Sequence, residues 1–152
     1  MKYFAVSDIH GDFEQFLYHM INYGIIDKNH KWSAKDSRFF ILGDGTDRGP
    51  NGYEVLSFIK SLQEDAFLAG GEVHYLLGNH DALLLSQVYG IKEMFGYQAY
   101  NTQLMFANNG GQERDVNLLS MDLPLLKWLE QCPFILKEGT TLFQHCDATV
   151  YY

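Results

Sequence analysis

Apolar positions along the chain follow two periods. Residues 2–7, 38–42 and 72–77 are short runs rich in Phe, Val, Ile, Tyr and Leu, and each stops abruptly in a polar cluster. Runs of that length, ended by Gly or Asp, read as strands that deliver polar side chains to their C-terminal edge. Behind each run the period changes to that of a helix. Phe13, Phe16, Leu17, Met20 and Ile21 recur at helical spacing with Asp12 placed as an N-cap. Val55, Ile59, Leu62 and Ala66 line one face of a second helix closed by Gly70-Gly71, and a third helix begins at Asp81 with Ala82-Leu83-Leu84-Leu85. Strand and helix alternating three times predict an α/β fold with right-handed crossovers and a largely parallel sheet.

The rest of the chain is less periodic. Residues 24–37 read as a polar linker, and residues 89–117 as an irregular, partly helical insertion able to roof a site. Residues 123–131 read as a helix, with Pro124 in its first turn and Pro133 stopping it. Residues 134–137 and 140–145 flank Glu138-Gly139, a hairpin signal.

Composition narrows the functional classes. At 152 residues the chain has the length of a single domain, at the low end for a fold with two packed sheets. No apolar stretch approaches the roughly 20 residues that span a bilayer, so no membrane is expected. Two cysteines and the lack of an apolar leader lead to the expectation of a cytoplasmic protein with reduced thiols, Cys146 being a small buried side chain. A formal charge of −8 weighs against nucleic acid or an anionic surface as the main partner. A polyanionic substrate would need a local cation.

The candidate chemistry lies at the three strand ends, the edge where open α/β sheets bind ligands. Asp8-Ile9-His10-Gly11-Asp12, then Gly43-Asp44-Gly45-Thr46-Asp47-Arg48-Gly49, then Gly78-Asn79-His80-Asp81 occupy them. Each cluster alone is commonplace: an Asp-x-His by chance, a turn after a strand, a helix cap. Together with His145, the donors Asp8, His10, Asp44 and Asn79 form a mixed oxygen and imidazole set without thiolate, which suits Mn, Fe or Zn. The number of donors exceeds the needs of one ion and points to two, typically ~3.5–4 Å apart and sharing Asp44, an apparatus for in-line attack at phosphorus. His19, His30 and His74 read as surface or packing histidines, and Arg48 has an alternative as a surface ion-pair partner of Asp47.

In order and spacing, these three clusters resemble the signature of the calcineurin-like metallophosphoesterases, in the branch of Ser/Thr phosphoprotein phosphatases and diadenosine tetraphosphatases. The likeness extends to Asn109-Gly110-Gly111 and Leu142-Phe143-Gln144-His145. It implies an α/β/β/α sandwich and two divalent metal ions, Mn foremost, with Fe, Zn, Co and Mg as options. Asp8 and His10 would hold the first ion, Asp44 would bridge, and Asn79 with His145 would hold the second. His80 would be the general acid, oriented by Asp47, while Arg48 and Asn79 would bind the phosphate. Gly45 and Thr46 depart from the family, which has an apolar residue and Val there.

The Gly-x-His element that supplies a further ligand in relatives does not occur in this chain, nor do the later strands of the second sheet. The expectation is therefore the N-terminal portion of a longer phosphatase, with an incomplete second sheet whose exposed face lets copies associate. Two activities follow from the resemblance: hydrolysis of phosphoserine or phosphothreonine proteins, which Asp47 favours, and asymmetric cleavage of dinucleoside polyphosphates; the missing segment gives a third reading of a different class, a non-catalytic metal-binding module.

Overall fold

Strand and helix alternate in space as they do along the chain. The structure, a computed structural model, describes residues 1–91, 93–94 and 100–146. In order they form β1 (Tyr3–Val6), α1 (Phe13–Asn22), β2 (Arg38–Ile41), α2 (Gly52–Leu68), β3 (Glu72–Tyr75), α3 (Asn79–Val88), β4 (Glu93–Met94), β5 (Tyr100–Asn101), α4 (Thr102–Asn108), α5 (Glu113–Met121), α6 (Leu123–Glu130), β6 (Ile135–Glu138) and β7 (Thr141–Gln144). β1, β2 and β3 make one parallel sheet in that order, with Phe40 opposite Ala5 on one side and His74 on the other.

Alternation along β2 assigns the two faces of the sheet. Phe39 and Ile41 join a core with Phe16, Leu17 and Met20 of α1, Val55, Ile59 and Leu62 of α2, and Leu125 and Leu129 of α6. Phe40 belongs to the opposite face, where its ring stacks on Phe143 of β7 with centroids 4.0 Å apart and planes 4° from parallel. Arg38, on the same face, pairs with Glu72 at 3.0 Å and with Glu138 of β6. The hairpin β6–β7 is thus the second layer of strand. Helices, parallel sheet and hairpin form the α/β/β part of the sandwich, with the second sheet reduced to two strands.

Local capping follows the sequence reading, since the Asp12 carboxylate accepts the amide of Gln15 at 3.2 Å and Asp122 caps α6 through Leu125. Four readings change. α3 starts at Asn79 rather than Asp81, so Asn79 and His80 sit in its first turn. Residues 24–37 are not a free linker: Ile25, Ile26 and Trp32 are buried, and Ile26 bridges Trp32, because apolar side chains at irregular spacing still gain from burial under α1. The stretch 89–117 is more regular than expected, holding all of α4 and the start of α5, while 92 and 95–99 of it lie outside the described residues. Cys146, just past the hairpin, is exposed, because no described element covers it. No described helix is long and apolar enough to cross a membrane.

Candidate functional site

The ends of β1 and β2 turn sharply, and the turns use conformations that most side chains avoid. Asp8 (φ 55), His10 (φ 49), Asp44 (φ 56), Asp47 (φ 66) and Arg48 (φ 63) all lie in the left-handed region. Each such residue costs roughly 1 kcal/mol or more and persists only where its surroundings over-determine it. Here the first two loops are laced together by backbone bonds, His10 N to Asp44 O at 2.9 Å, Gly11 N to Gly45 O at 2.9 Å and Gly49 N to His10 O at 2.8 Å. Only glycine permits that approach. A Cβ on Gly11 would stand 2.6 Å from the Gly49 carbonyl.

Into this frame the loops bring five acceptors. Nδ1 of His10 donates to the Thr46 carbonyl (3.1 Å) and Nδ1 of His145 to the Leu42 carbonyl (2.5 Å), which turns the Nε2 lone pair of each ring inward. Such carbonyl anchors are how metal-binding histidines are oriented. His145 Nε2 lies 3.0 Å from Asp44 Oδ2 and 3.2 Å from Asn79 Oδ1, while His10 Nε2 lies 3.5 Å from Asp8 Oδ1 and 4.0 Å from Asp44 Oδ2. Buried His10 Nε2 has no hydrogen-bond partner among the described residues. Oδ2 of Asp44 is common to both groups of converging donors, Asp8 with His145 and His10 with His80. Lone pairs collected without donors repel one another, and a cation is the group that compensates them. The donor set therefore fits the divalent ions expected from the sequence.

Asp44 is 2% exposed, and its second oxygen, Oδ1, accepts the backbone amide of His80 at 3.0 Å, at the N-terminus of α3. Asp8 is open to solvent, and the Ser7 hydroxyl holds its carboxyl below the usual range.

Beside the acceptors lies a second constellation. His80, 2% exposed, places Nδ1 2.9 Å from Asp47 Oδ2 and Nε2 3.5 Å from Arg48 Nη2. The His10 and His80 rings meet edge to face at 4.7 Å. Arg48 is exposed and faces His80; among the described residues it forms no ion pair with Asp47, which sets aside the surface-pair alternative. Its backbone is placed by the turn after α4, since Arg48 N donates to the Gly110 carbonyl at 2.7 Å. Burial, and then the neighbouring Asp115 charge, pushes the Asp47 carboxyl up to about 7. Asp115 itself is 1% exposed on α5; its Oδ1 accepts from Arg114 Nη1 at 3.2 Å, and its Oδ2 has no hydrogen-bond partner among the described residues.

Asp8, His10, Asp44, Asn79, His145, His80, Asp47 and Arg48 thus gather at one edge. His19, His30 and His74 do not join them; His74 pairs with Glu72 and stacks on Phe40 at 5.1 Å. Three residues that the sequence reading gave no catalytic or metal-binding role also support the site. Asp115 carried no local signal, being one acid in a polar stretch. Tyr75 and Asp81 had one: a phenol at an inward position of a strand, and an acid read only as a cap. Burial pushes Asp81 up to about 6.

A parallel sheet with its crossover helices on one face carries oxygen and imidazole acceptors at its C-terminal edge, a donor set able to hold divalent cations. The chain belongs to the calcineurin-like phosphoesterase family, whose model matches residues 1–147. It is 32% identical over 79 residues to Shewanella-like protein phosphatase 2 of Arabidopsis thaliana, covering 52% of this chain and 20% of that protein. It is 35% identical over 103 residues to the symmetrical bis(5'-nucleosyl)-tetraphosphatase of Coxiella burnetii (strain Dugway 5J108-111), covering 68% and 28%. Among solved structures, the cold-active protein-tyrosine phosphatase of a psychrophile, Shewanella sp., superposes with a TM-score of 0.73 at 28% identity, covering 99% of this chain and 45% of that one. The chain thus spans less than half the length of these relatives.

Proposed function

We propose that this chain carries the metal and phosphate site of a phosphomonoesterase acting on phosphoproteins. The observation that carries the reading is the donor-free convergence of His10 Nε2, His145 Nε2 and Asp8 on Oδ2 of Asp44. In this reading Asp8 and His10 hold one divalent ion, Asn79 and His145 hold another, and Asp44 is shared. The ions supply Lewis acidity toward phosphoryl oxygens and lower the pKa of water.

The chain's own groups do the rest. Arg48, exposed and facing His80, offers two parallel donors to phosphate oxygens, and Asn79 joins it in binding the phosphate. His80, held by Asp47 through Nδ1, presents Nε2 to the leaving oxygen and gives it a proton. The metal is Mn in this reading, by the mixed donor set.

Phosphoprotein as substrate is supported by the Shewanella-like protein phosphatase and the tyrosine phosphatase among the similar proteins. The similarity to a tetraphosphatase favours a second reading, dinucleoside polyphosphate hydrolysis; because that relative's name specifies the symmetrical reaction, the asymmetric mode gives way to it. With Mn present, turnover of p-nitrophenyl phosphate, phosphoserine and phosphotyrosine peptides and diadenosine tetraphosphate separates the two. Preference for a peptide is expected; preference for the dinucleotide overturns it. Asp44→Asn is expected to remove turnover, and full activity in that variant refutes the shared-ligand role. Metal analysis finding two ions per chain favours the enzyme, and about one or none favours the non-catalytic module.

A further inference from the structure

Beneath Asp44 lies a buried polar unit that no step above uses. Tyr75 ends β3 at 1% exposure, with its ring beside Trp128 at 5.6 Å. Its hydroxyl accepts the amide of Gly45 at 2.9 Å and donates to Asp81 Oδ1 at 2.8 Å. The other oxygen of Asp81, a residue 0% exposed, accepts two amides, Asp44 N at 2.9 Å and Gly78 N at 2.8 Å. One phenol and one carboxylate therefore terminate three backbone donors drawn from two different strand ends.

Those donors flank the carboxylate on which the site converges. Asp44 holds a left-handed backbone, φ 56, which an L residue leaves readily unless its amide is tied. The tie is Asp81. With the Asp44 amide fixed, its Oδ1 reaches the His80 amide and only Oδ2 is left to face His145 and His10. The neighbouring loop is pressed against this arrangement, since a Cβ on Gly43 would stand 2.5 Å from Gly78 N. Outer hydrogen-bond partners of metal ligands typically govern affinity by about 10–100-fold.

We propose that Tyr75 and Asp81 are a positioning unit for Asp44, selecting which of its oxygens faces the donors and thereby setting how tightly the site holds a divalent cation. This rests on the reading of Asp44 as the shared ligand. Neither residue touches the acceptor cluster; both act through the Asp44–Gly45 backbone.

The test compares variants of the full chain by Mn titration and by amide hydrogen exchange. Tyr75→Phe keeps the ring and removes only the hydroxyl, leaving the Gly45 amide without an acceptor. It is expected to weaken Mn binding about 10–100-fold, while Leu62→Ala, a core truncation on α2 that removes none of these hydrogen bonds, lowers thermal stability without that loss. Asp81→Asn retains an oxygen for the two amides and is expected to recover most of the affinity that Asp81→Leu loses. Unchanged Mn affinity in Tyr75→Phe, or an equal loss in Leu62→Ala, overturns the proposal. Should the parent chain itself take up no Mn, the shared-ligand reading fails and exchange decides the positioning role. Faster exchange confined to Asp44 and Gly45 in Tyr75→Phe supports it, and unchanged exchange overturns it.

Discussion

Oδ2 of Asp44 and Nε2 of His145 stand 3.0 Å apart, although one ends the second strand and the other follows the last hairpin. The Leu42 carbonyl takes the Nδ1 proton of His145, which leaves Nε2 aimed at the carboxylate, in position to share a cation with it. His145→Ala should therefore lower Mn affinity by about 10-fold or more while barely changing thermal stability without metal. Calorimetric titration in both proteins reads this. Equal affinity would remove His145 from the donor set.

Packing on the far face of the sheet is what delivers that histidine. Phe143 stacks on Phe40 two positions before His145, and Arg38 pairs with Glu138 on the neighbouring strand. Phe143→Ala should cost about 2–3 kcal/mol in urea unfolding, less than a fully enclosed Phe because the side chain is only partly buried. Mn affinity should fall with it, since the hairpin loses its seat. A stable variant with unaltered Mn binding would show that β7 is held by other contacts.

His80 and Asp47 predict a dependence on the leaving group. His80→Asn should reduce turnover of a phosphoserine peptide by about 10²–10⁴-fold, the usual worth of a positioned acid. Loss with p-nitrophenyl phosphate should be much smaller, because its phenolate departs without a proton. Equal losses on the two substrates would assign His80 to something other than proton donation.

Buried carboxyls give the metal-free chain a pH signature. Burial and the Asp115 charge push Asp47 up to about 7, and burial pushes Asp81 up to about 6. Both stand above the unfolded carboxylate value of about 3.9. Between about pH 4 and 7 the native state thus binds more protons than the unfolded one, and stability falls as pH rises through that window. Thermal melts in chelator should show a falling Tm from about pH 4 to about pH 7, each group contributing at most about 1.4 kcal/mol per pH unit. Asp47→Asn should flatten the slope. An unchanged slope would place the titration elsewhere.

Much of this architecture is local and therefore legible along the chain. Three repeats of a short apolar run, a polar turn and an amphipathic helix are set by side-chain period and by residues that tolerate a left-handed backbone, and they specify the parallel sheet and place Asp8, His10, Asp44 and Asn79 at its edge. Tertiary structure decided what depends on contact between distant segments. Stacking of Phe143 on Phe40 brings His145 to Asp44, burial on α5 sets Asp115 against Asp47, and desolvation turns Tyr75 and Asp81 from a strand residue and a cap into the support of the Asp44 backbone. Local period and turn preference report only a few neighbouring residues. The orientation of a lone pair and the charge of a buried acid belong to whatever the rest of the chain packs around them.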